Sequence, residues 1–204
     1  MTERRPISAR DTGWAHRITA WLVSVGATPN GISAASVGFA VVAGAWLAYP
    51  AAPWTWLVAG LAVQGRLLCN LFDGMVAVEG GKQSVTGELW NDLPDRLSDT
   101  AIFVGAGYGC GLPWLGWLAA VAALHVAYVR VLARSAGAAT RFEGPMAKQY
   151  RMVLLTGGCA VAIFAGDRAG TVISVVLAAT VIGCVVTAVR RLSLAAADLR
   201  SGIS

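Results

Sequence analysis

Polar and apolar positions in this chain are sorted into blocks rather than alternating. Six apolar stretches, at 32–49, 54–78, 96–111, 114–133, 152–165 and 171–189, are separated by three short connections and two longer polar ones at 79–95 and 134–151. About 20 apolar residues carry a helix across the hydrocarbon core of a bilayer. Each stretch is therefore predicted as a transmembrane helix, although two are short or carry polar residues. A transmembrane barrel would need strands that alternate apolar and polar positions, and no such alternation is present. Segment 10–27 differs again, because Trp14, Ile18, Trp21 and Leu22 are mixed with Asp11, His16 and Arg17. That spacing predicts an amphipathic helix on the membrane surface, the alternative being a plain polar tail. No cleavable signal peptide is expected, since the first apolar stretch follows a charged start.

The expected fold is an all-α membrane protein with six transmembrane helices preceded by an amphipathic juxtamembrane helix. It is read as one domain over 1–204, with the interfacial helix at 10–27 and the transmembrane core at 32–190.

Composition strengthens this picture. Of 204 residues, 56% are hydrophobic and 13% charged, and the mean hydropathy is +0.63. A soluble domain carries about twice that charge fraction. Cys69, Cys110, Cys159 and Cys184 are scattered singly, so they read as small buried apolar residues rather than metal or disulfide pairs. His125 is a lone histidine and reads as packed.

The net charge of +5 suggests nucleic acid until its distribution is considered. Basic residues cluster at Arg4, Arg5, Arg10 and Arg17, at Lys82, at Arg130, Arg134, Arg141, Lys148 and Arg151, and at Arg190, Arg191 and Arg200. With six spans, all of these lie on one side, and the opposite connections contain only Arg168. Positive loops stay in the cytoplasm, so both termini are predicted there, in a bacterial-type inner membrane. Part of this charge also suits anionic headgroups. Nucleic acid is not expected as a partner. Trp54, Trp56, Trp114 and Trp117 fall at the predicted outer boundary, where indole rings prefer to sit.

One stretch, 70–100, is not bland: NLFDGMVAVEGGKQSVTGELWNDLPDRLSDT. Asn70 and Asp73 are three apart and share a helix face, as do Asn91, Asp95 and Asp99, spaced by four. An antiparallel helix pair joined through 79–87 is expected to bring these faces together near the membrane surface. Ionisable groups there are costly and mark functional sites, and an oxygen-only set suits Mg²⁺ or Mn²⁺ better than zinc. Helix-dipole stabilisation explains an acidic residue at a helix start, and so accounts equally for Glu88 or Asp92. It does not explain Asp73, near a helix C-terminus. Gly74 and Ala77 let a flat group approach closely or simply pack helices.

The spacing resembles the signature of the CDP-alcohol phosphotransferase (CDP-alcohol phosphatidyltransferase) family, D-x2-D-G-x2-A-R-x8-G-x3-D-x3-D. Asn70, Asp73, Gly74, Ala77, Val78, Gly87, Asn91 and Asp95 stand at its positions, and TPNGIS at 28–33 resembles the segment that opens the family's first span. Asn70 and Asn91 replace aspartates, and Val78 replaces arginine. The resemblance implies a transferase of phospholipid biosynthesis that moves a phosphatidyl group from a CDP-alcohol, here CDP-diacylglycerol, to a small hydroxyl acceptor with release of CMP. It implies Mg²⁺ or Mn²⁺ held by Asn70, Asp73, Asn91, Asp95 and Asp99, with Asp95 as the base. The nucleotide is expected against Asp73, Gly74, Ala77, Gly87 and Lys82, the last in place of the missing arginine. Two fewer charges leave three possibilities: one metal, a weak second metal, or compensation by Glu88, Asp92 or Asp99. Arg134, Lys148, Arg151 and Arg190 are candidates for holding a phosphorylated acceptor, positive-inside charge being the plainer explanation. Arg66, one turn before Asn70, is expected to pair with polar neighbours in the site. A homodimer is expected from the resemblance alone. The competing reading is a weak or inactive relative that binds nucleotide-lipid or partner membrane proteins. A transporter is disfavoured because no inverted repeat or broken helix is visible.

Overall fold

The computed structural model describes residues 8–82, 84–142 and 144–201, and every regular element among them is helical. The helices are α1 (Gly13–Ser24), α2 (Pro29–Ala48), α3 (Pro53–Glu79), α4 (Gly87–Gly109), α5 (Pro113–Ser135), α6 (Lys148–Ala162) and α7 (Ala169–Ser201), with short 3-10 turns at Ser8–Asp11 and Gly166–Arg168. Arg4 and Arg5 of the first basic cluster lie outside the described residues.

Local chemistry sets the helix ends. Thr28 caps α2 by accepting from the Gly31 N–H at 3.2 Å, with Pro29 in the first turn. Pro53 and Pro113 open α3 and α5 in the same position. At the C-termini of α3 and α4, Gly81 (φ 62°) and Gly111 (φ 74°) take up the left-handed conformation. There Lys82 N–H bonds to the Ala77 carbonyl and Leu112 N–H to the Gly107 carbonyl, closing each helix.

Each of the six predicted apolar stretches falls on one of α2 to α7, but α4 begins at Gly87 rather than 96 and α7 runs on to Ser201 rather than 189. Among the described residues, Pro29–Ala48, Pro53–Glu79, Pro113–Ser135 and Gly166–Ser201 are long and apolar enough to cross a membrane, which makes this a multi-pass membrane protein. By the same measure α4 and α6 fall short. The first half of α4 carries Asp92, Asp95, Arg96 and Asp99, and α6 has 15 residues, beginning at Lys148. Outward faces of the long helices are apolar and exposed, as at Leu61, Val175, Ile182 and Val186. Lipid takes the place of water on such a surface.

Small residues govern the packing. A Cβ at Gly105 would lie 2.1 Å from the Gly44 carbonyl oxygen, and one at Gly109 would lie 1.8 Å from that of Leu47. The α2 and α4 backbones therefore touch, as small-residue faces permit in membranes. Around this contact Leu47, Trp56, Val63, Phe103, Leu155 and Leu177 fill the core.

The expected direct pairing of α3 with α4 is corrected here. α2 packs extensively against both, and α3 packs on α6, but α3 and α4 do not form a packed hairpin. Long charged side chains bridge the space between them. The predicted surface helix is present as α1, which lies on α3 through Ala15, Leu71, Phe72 and Met75. It leaves Trp14 and Trp21 exposed.

Candidate active site

The polar residues of 70–100 converge with α2 and α6 into a chain of buried charges. Asp73, near the C-terminal end of α3, is 5% exposed, and its Oδ2 accepts from Ser33 Oγ of α2 at 2.8 Å. Across the gap, Asp95 and Asp99 on α4 are equally buried. Arg66, wholly buried on α3, donates through Nη2 to Asp99 Oδ1 at 2.7 Å. The same nitrogen reaches Asp95 Oδ1 at 3.4 Å and the Asp95 carbonyl at 3.3 Å. From α6, Lys148 Nζ donates to Asp95 Oδ2. One turn on, Arg151 Nη2 donates to Asp99 Oδ2 at 2.8 Å while its Nη1 holds the Met146 carbonyl at 2.9 Å. A charge buried this deeply is tolerated when paired and hydrogen-bonded, and the ion-pair chain supplies both conditions for Asp95 and Asp99.

The remaining predicted residues occupy distinct places. Asn70 projects from the Arg66–Asp73 face of α3, and its Nδ2 is buried without a partner. Gly74 is half-buried; a Cβ there would meet Arg10 Nη2 at 3.3 Å, so the turn before α1 covers this glycine. Ala77 is also half-buried, whereas Val78 is exposed. Gly87 begins α4. Asn91 lies on α4, but its side chain and that of Glu88 are outside the described set. Lys82, exposed, donates to the Ala27 carbonyl at 2.9 Å and so ties the α3 end to the turn before α2. Asp92 is held by Arg130 at 2.6 Å. Both Asp99 oxygens accept from guanidinium groups.

Of the four basic candidates for the acceptor, Lys148 and Arg151 line the charged chain, while Arg134 and Arg190 lie on exposed surface. The neighbour of Arg190 is the buried one. Arg191 bonds the Phe142 carbonyl at 2.6 Å and the Val126 carbonyl at 3.2 Å, fastening the connection before α6. Ser33 was not singled out in the sequence. Its only signal is a small hydroxyl one turn past the helix cap Thr28.

The donor chemistry fits a hard divalent cation. Asp73 keeps one carboxylate oxygen clear of side-chain hydrogen bonds, and Asn70, on the same helix face, carries an amide oxygen. Carboxylate and amide oxygens are the ligands Mg²⁺ and Mn²⁺ prefer. Among the described residues, however, no three His, Cys, Asp or Glu side chains converge on a metal-sized point. The set suits a cation completed by substrate oxygens or water rather than a closed protein cage.

An apolar groove of about 470 Å³ runs between α1, α2 and α3, bounded by Leu22, Ile32, Phe39, Leu68, Cys69 and Phe72. Cys69 and Phe72 are the chain neighbours of Asn70 and Asp73, so the groove runs along the adjoining face of α3.

Residues 26–189 match the family model for CDP-alcohol phosphatidyltransferase. The inner membrane protein YnbA of Escherichia coli (strain K12) is 27% identical over 154 residues, covering 71% of this chain and 73% of that protein. Archaetidylinositol phosphate synthase of Pyrococcus horikoshii is 29% identical over 140 residues, 68% of this chain and 72% of that one. The fold is similar to phosphatidylinositol phosphate synthase of Mycobacterium tuberculosis with CDP-DAG bound. The TM-score is 0.73 at 22% identity, over 88% of this chain and 92% of that chain. The same enzyme in complex with manganese and citrate gives a TM-score of 0.73 at 22% identity, over 88% and 87%.

Proposed function

The chain belongs to the CDP-alcohol phosphatidyltransferase family, and we propose that it transfers a phosphatidyl group from CDP-diacylglycerol to a small, phosphorylated alcohol. CMP is the leaving group. The observation that carries this reading is the buried convergence of Asp73 and Asp95 with Lys148, Arg66 and Arg151, beside an apolar groove. The groove is suited to an acyl chain of the donor, and the cations to its diphosphate.

In this mechanism Asp95 takes the proton of the acceptor hydroxyl, which attacks the β-phosphorus. Lys148 is the neighbour that sets the timing. It pairs with Asp95 in the free protein, and an incoming acceptor phosphate competes for its ammonium, releasing the carboxylate to act as a general base. Arg151 anchors Asp99 and joins Lys148 in receiving the acceptor, with Arg134 and Arg190 steering from the surface. Asp73, Asp95 and the carbonyl oxygens of Asn70 and Asn91 would hold Mg²⁺ or Mn²⁺, which supplies charge neutralisation for the diphosphate. Gly74, Ala77 and Gly87 present a close backbone to the nucleotide. Asp99 serves as an anchor for Arg66 and Arg151 in place of a metal ligand, and Lys82 as a clasp on the turn before α2. All six helices α2–α7 span the inner membrane, and both termini face the cytoplasm.

The test is CMP release by the purified protein in lipid nanodiscs, with CDP-diacylglycerol, Mg²⁺ or Mn²⁺ and a panel of phosphorylated and unphosphorylated alcohols. Release with one acceptor class supports the proposal, and absence of release with all of them, from folded protein, sinks it. A second reading, a relative that binds nucleotide-lipid without turnover, is favoured by the amide at Asn70 and by the salt-bridged state of Asp95. Tight binding of CDP-diacylglycerol without CMP release would select it.

A further inference from the structure

The ion-pair chain leaves hydrogen-bonding capacity unused at Arg151 Nε on α6 and, in larger part, along one face of α3. Arg66 is fully buried, yet only its Nη2 is engaged; Nε and Nη1 have no partner. One turn later Asn70 Nδ2 is likewise buried and unmet. Residues 66, 70 and 73 are spaced by four and three, so they share the α3 face that carries Asp73. Buried donors without an acceptor are costly, the more so on a charged group, and a guanidinium cannot shed its proton to escape that cost.

Charge points to what fills the gap. Asp95 is held by Lys148 and Arg66 with Arg96 at 3.9 Å, and Asp99 by Arg66 and Arg151, whereas Asp73 is held by the neutral Ser33. The Arg66 donors that remain are thus not needed by any protein carboxylate. We propose that Arg66 and Asn70 together bind a phosphoryl oxygen of the CDP-alcohol donor, forming a fixed anion site that works without metal. This rests on the function proposed above.

Asp99 pins Arg66, so its charge is preorganised and does not depend on a second divalent cation. Asn70 can serve both partners, its Oδ1 toward a cation and its Nδ2 toward phosphate. An aspartate at 70 would instead pair with Arg66 at i,i+4 spacing and repel the phosphate. The amide at this position is therefore matched to the arginine before it.

The probe is CDP, titrated calorimetrically into the protein in nanodiscs, once in Mg²⁺ and once in EDTA. CDP is expected to bind in EDTA and to bind more tightly than CMP there. Asn70→Leu removes no member of an ion pair and Asn70→Asp adds a carboxylate beside Arg66, and each is expected to weaken metal-free CDP binding about tenfold or more, the value of one charge-assisted hydrogen bond. Arg66→Met should abolish it, but that variant also strips Asp99 of a partner, so the Asn70 variants decide the matter. CDP binding that requires Mg²⁺ would overturn the proposal and leave the orphan donors to buried water. Metal-free binding unaffected by Asn70→Asp would overturn it as well. Absence of CDP binding in both conditions would overturn the transferase reading and this inference with it.

Discussion

Asp99 carries one guanidinium on each carboxylate oxygen. Removing it strips the buried Arg151 of its carboxylate and leaves Arg66 only the longer 3.4 Å contact to Asp95, and breaking a buried pair in this way costs about 3–5 kcal/mol. Asp99→Ala is therefore expected to lower the thermal unfolding midpoint in detergent sharply, even without substrate. Ser33 acts more quietly. Its 2.8 Å bond orients Asp73, and losing such an outer contact typically costs roughly 10–100-fold in metal affinity. Ser33→Ala should leave the melting temperature nearly unchanged while shifting the Mn²⁺ concentration for half-maximal CMP release by that factor. Asp73 and Asp95 were legible in the sequence because a charge near a helix C-terminus and a three-and-four spacing are local signals. Their partners were not. Arg66 of α3 was expected to pair within the site, but Ser33 of α2 and Lys148 of α6 reach these carboxylates from distant parts of the chain, and no local rule pairs them.

At the scale of elements, the contact between α2 and α4 decides how far apart the site's two halves stand. Gly105 meets the Gly44 carbonyl with no room for a methyl group. Gly105→Leu should force these backbones apart, with a cost of about 1–3 kcal/mol for overpacking and a lower midpoint in thermal unfolding. Because Asp95 and Asp99 ride on α4, activity should fall further than the lost stability alone explains. The presence of each helix was legible, since apolar runs, capping Thr28 and the Pro and Gly residues at several helix ends are written locally, but the polar start of α4 and the polar end of α7 extend beyond the apolar runs that predicted them. The separation of α3 from α4 was not. A short connection between two helices suggests a hairpin, but α2 packs against both, and the charged side chains fill the space that remains.

Over the whole molecule, contacts gather the basic connections at one end of the bundle. Lys82 holds the turn before α2, Arg141 grips Asp198 of α7 at 2.8 and 2.9 Å, and Arg191 holds the Phe142 carbonyl. The site lies at this same end, so charge bias, topology and chemistry describe one face. The proposed orientation predicts that alkaline phosphatase fused after Ser201 remains inactive and that the same enzyme inserted in the connection 50–52 is active; the reverse pattern would invert the topology. The most direct measurement of the central claim is CMP release from CDP-diacylglycerol by wild-type protein, Asp73→Asn and Asp95→Asn in one nanodisc preparation. The account predicts release by the wild type and a fall of at least about 100-fold in Asp95→Asn, the scale of a lost general base, with a comparable loss in Asp73→Asn. Wild-type rates in a folded Asp95→Asn variant would contradict it.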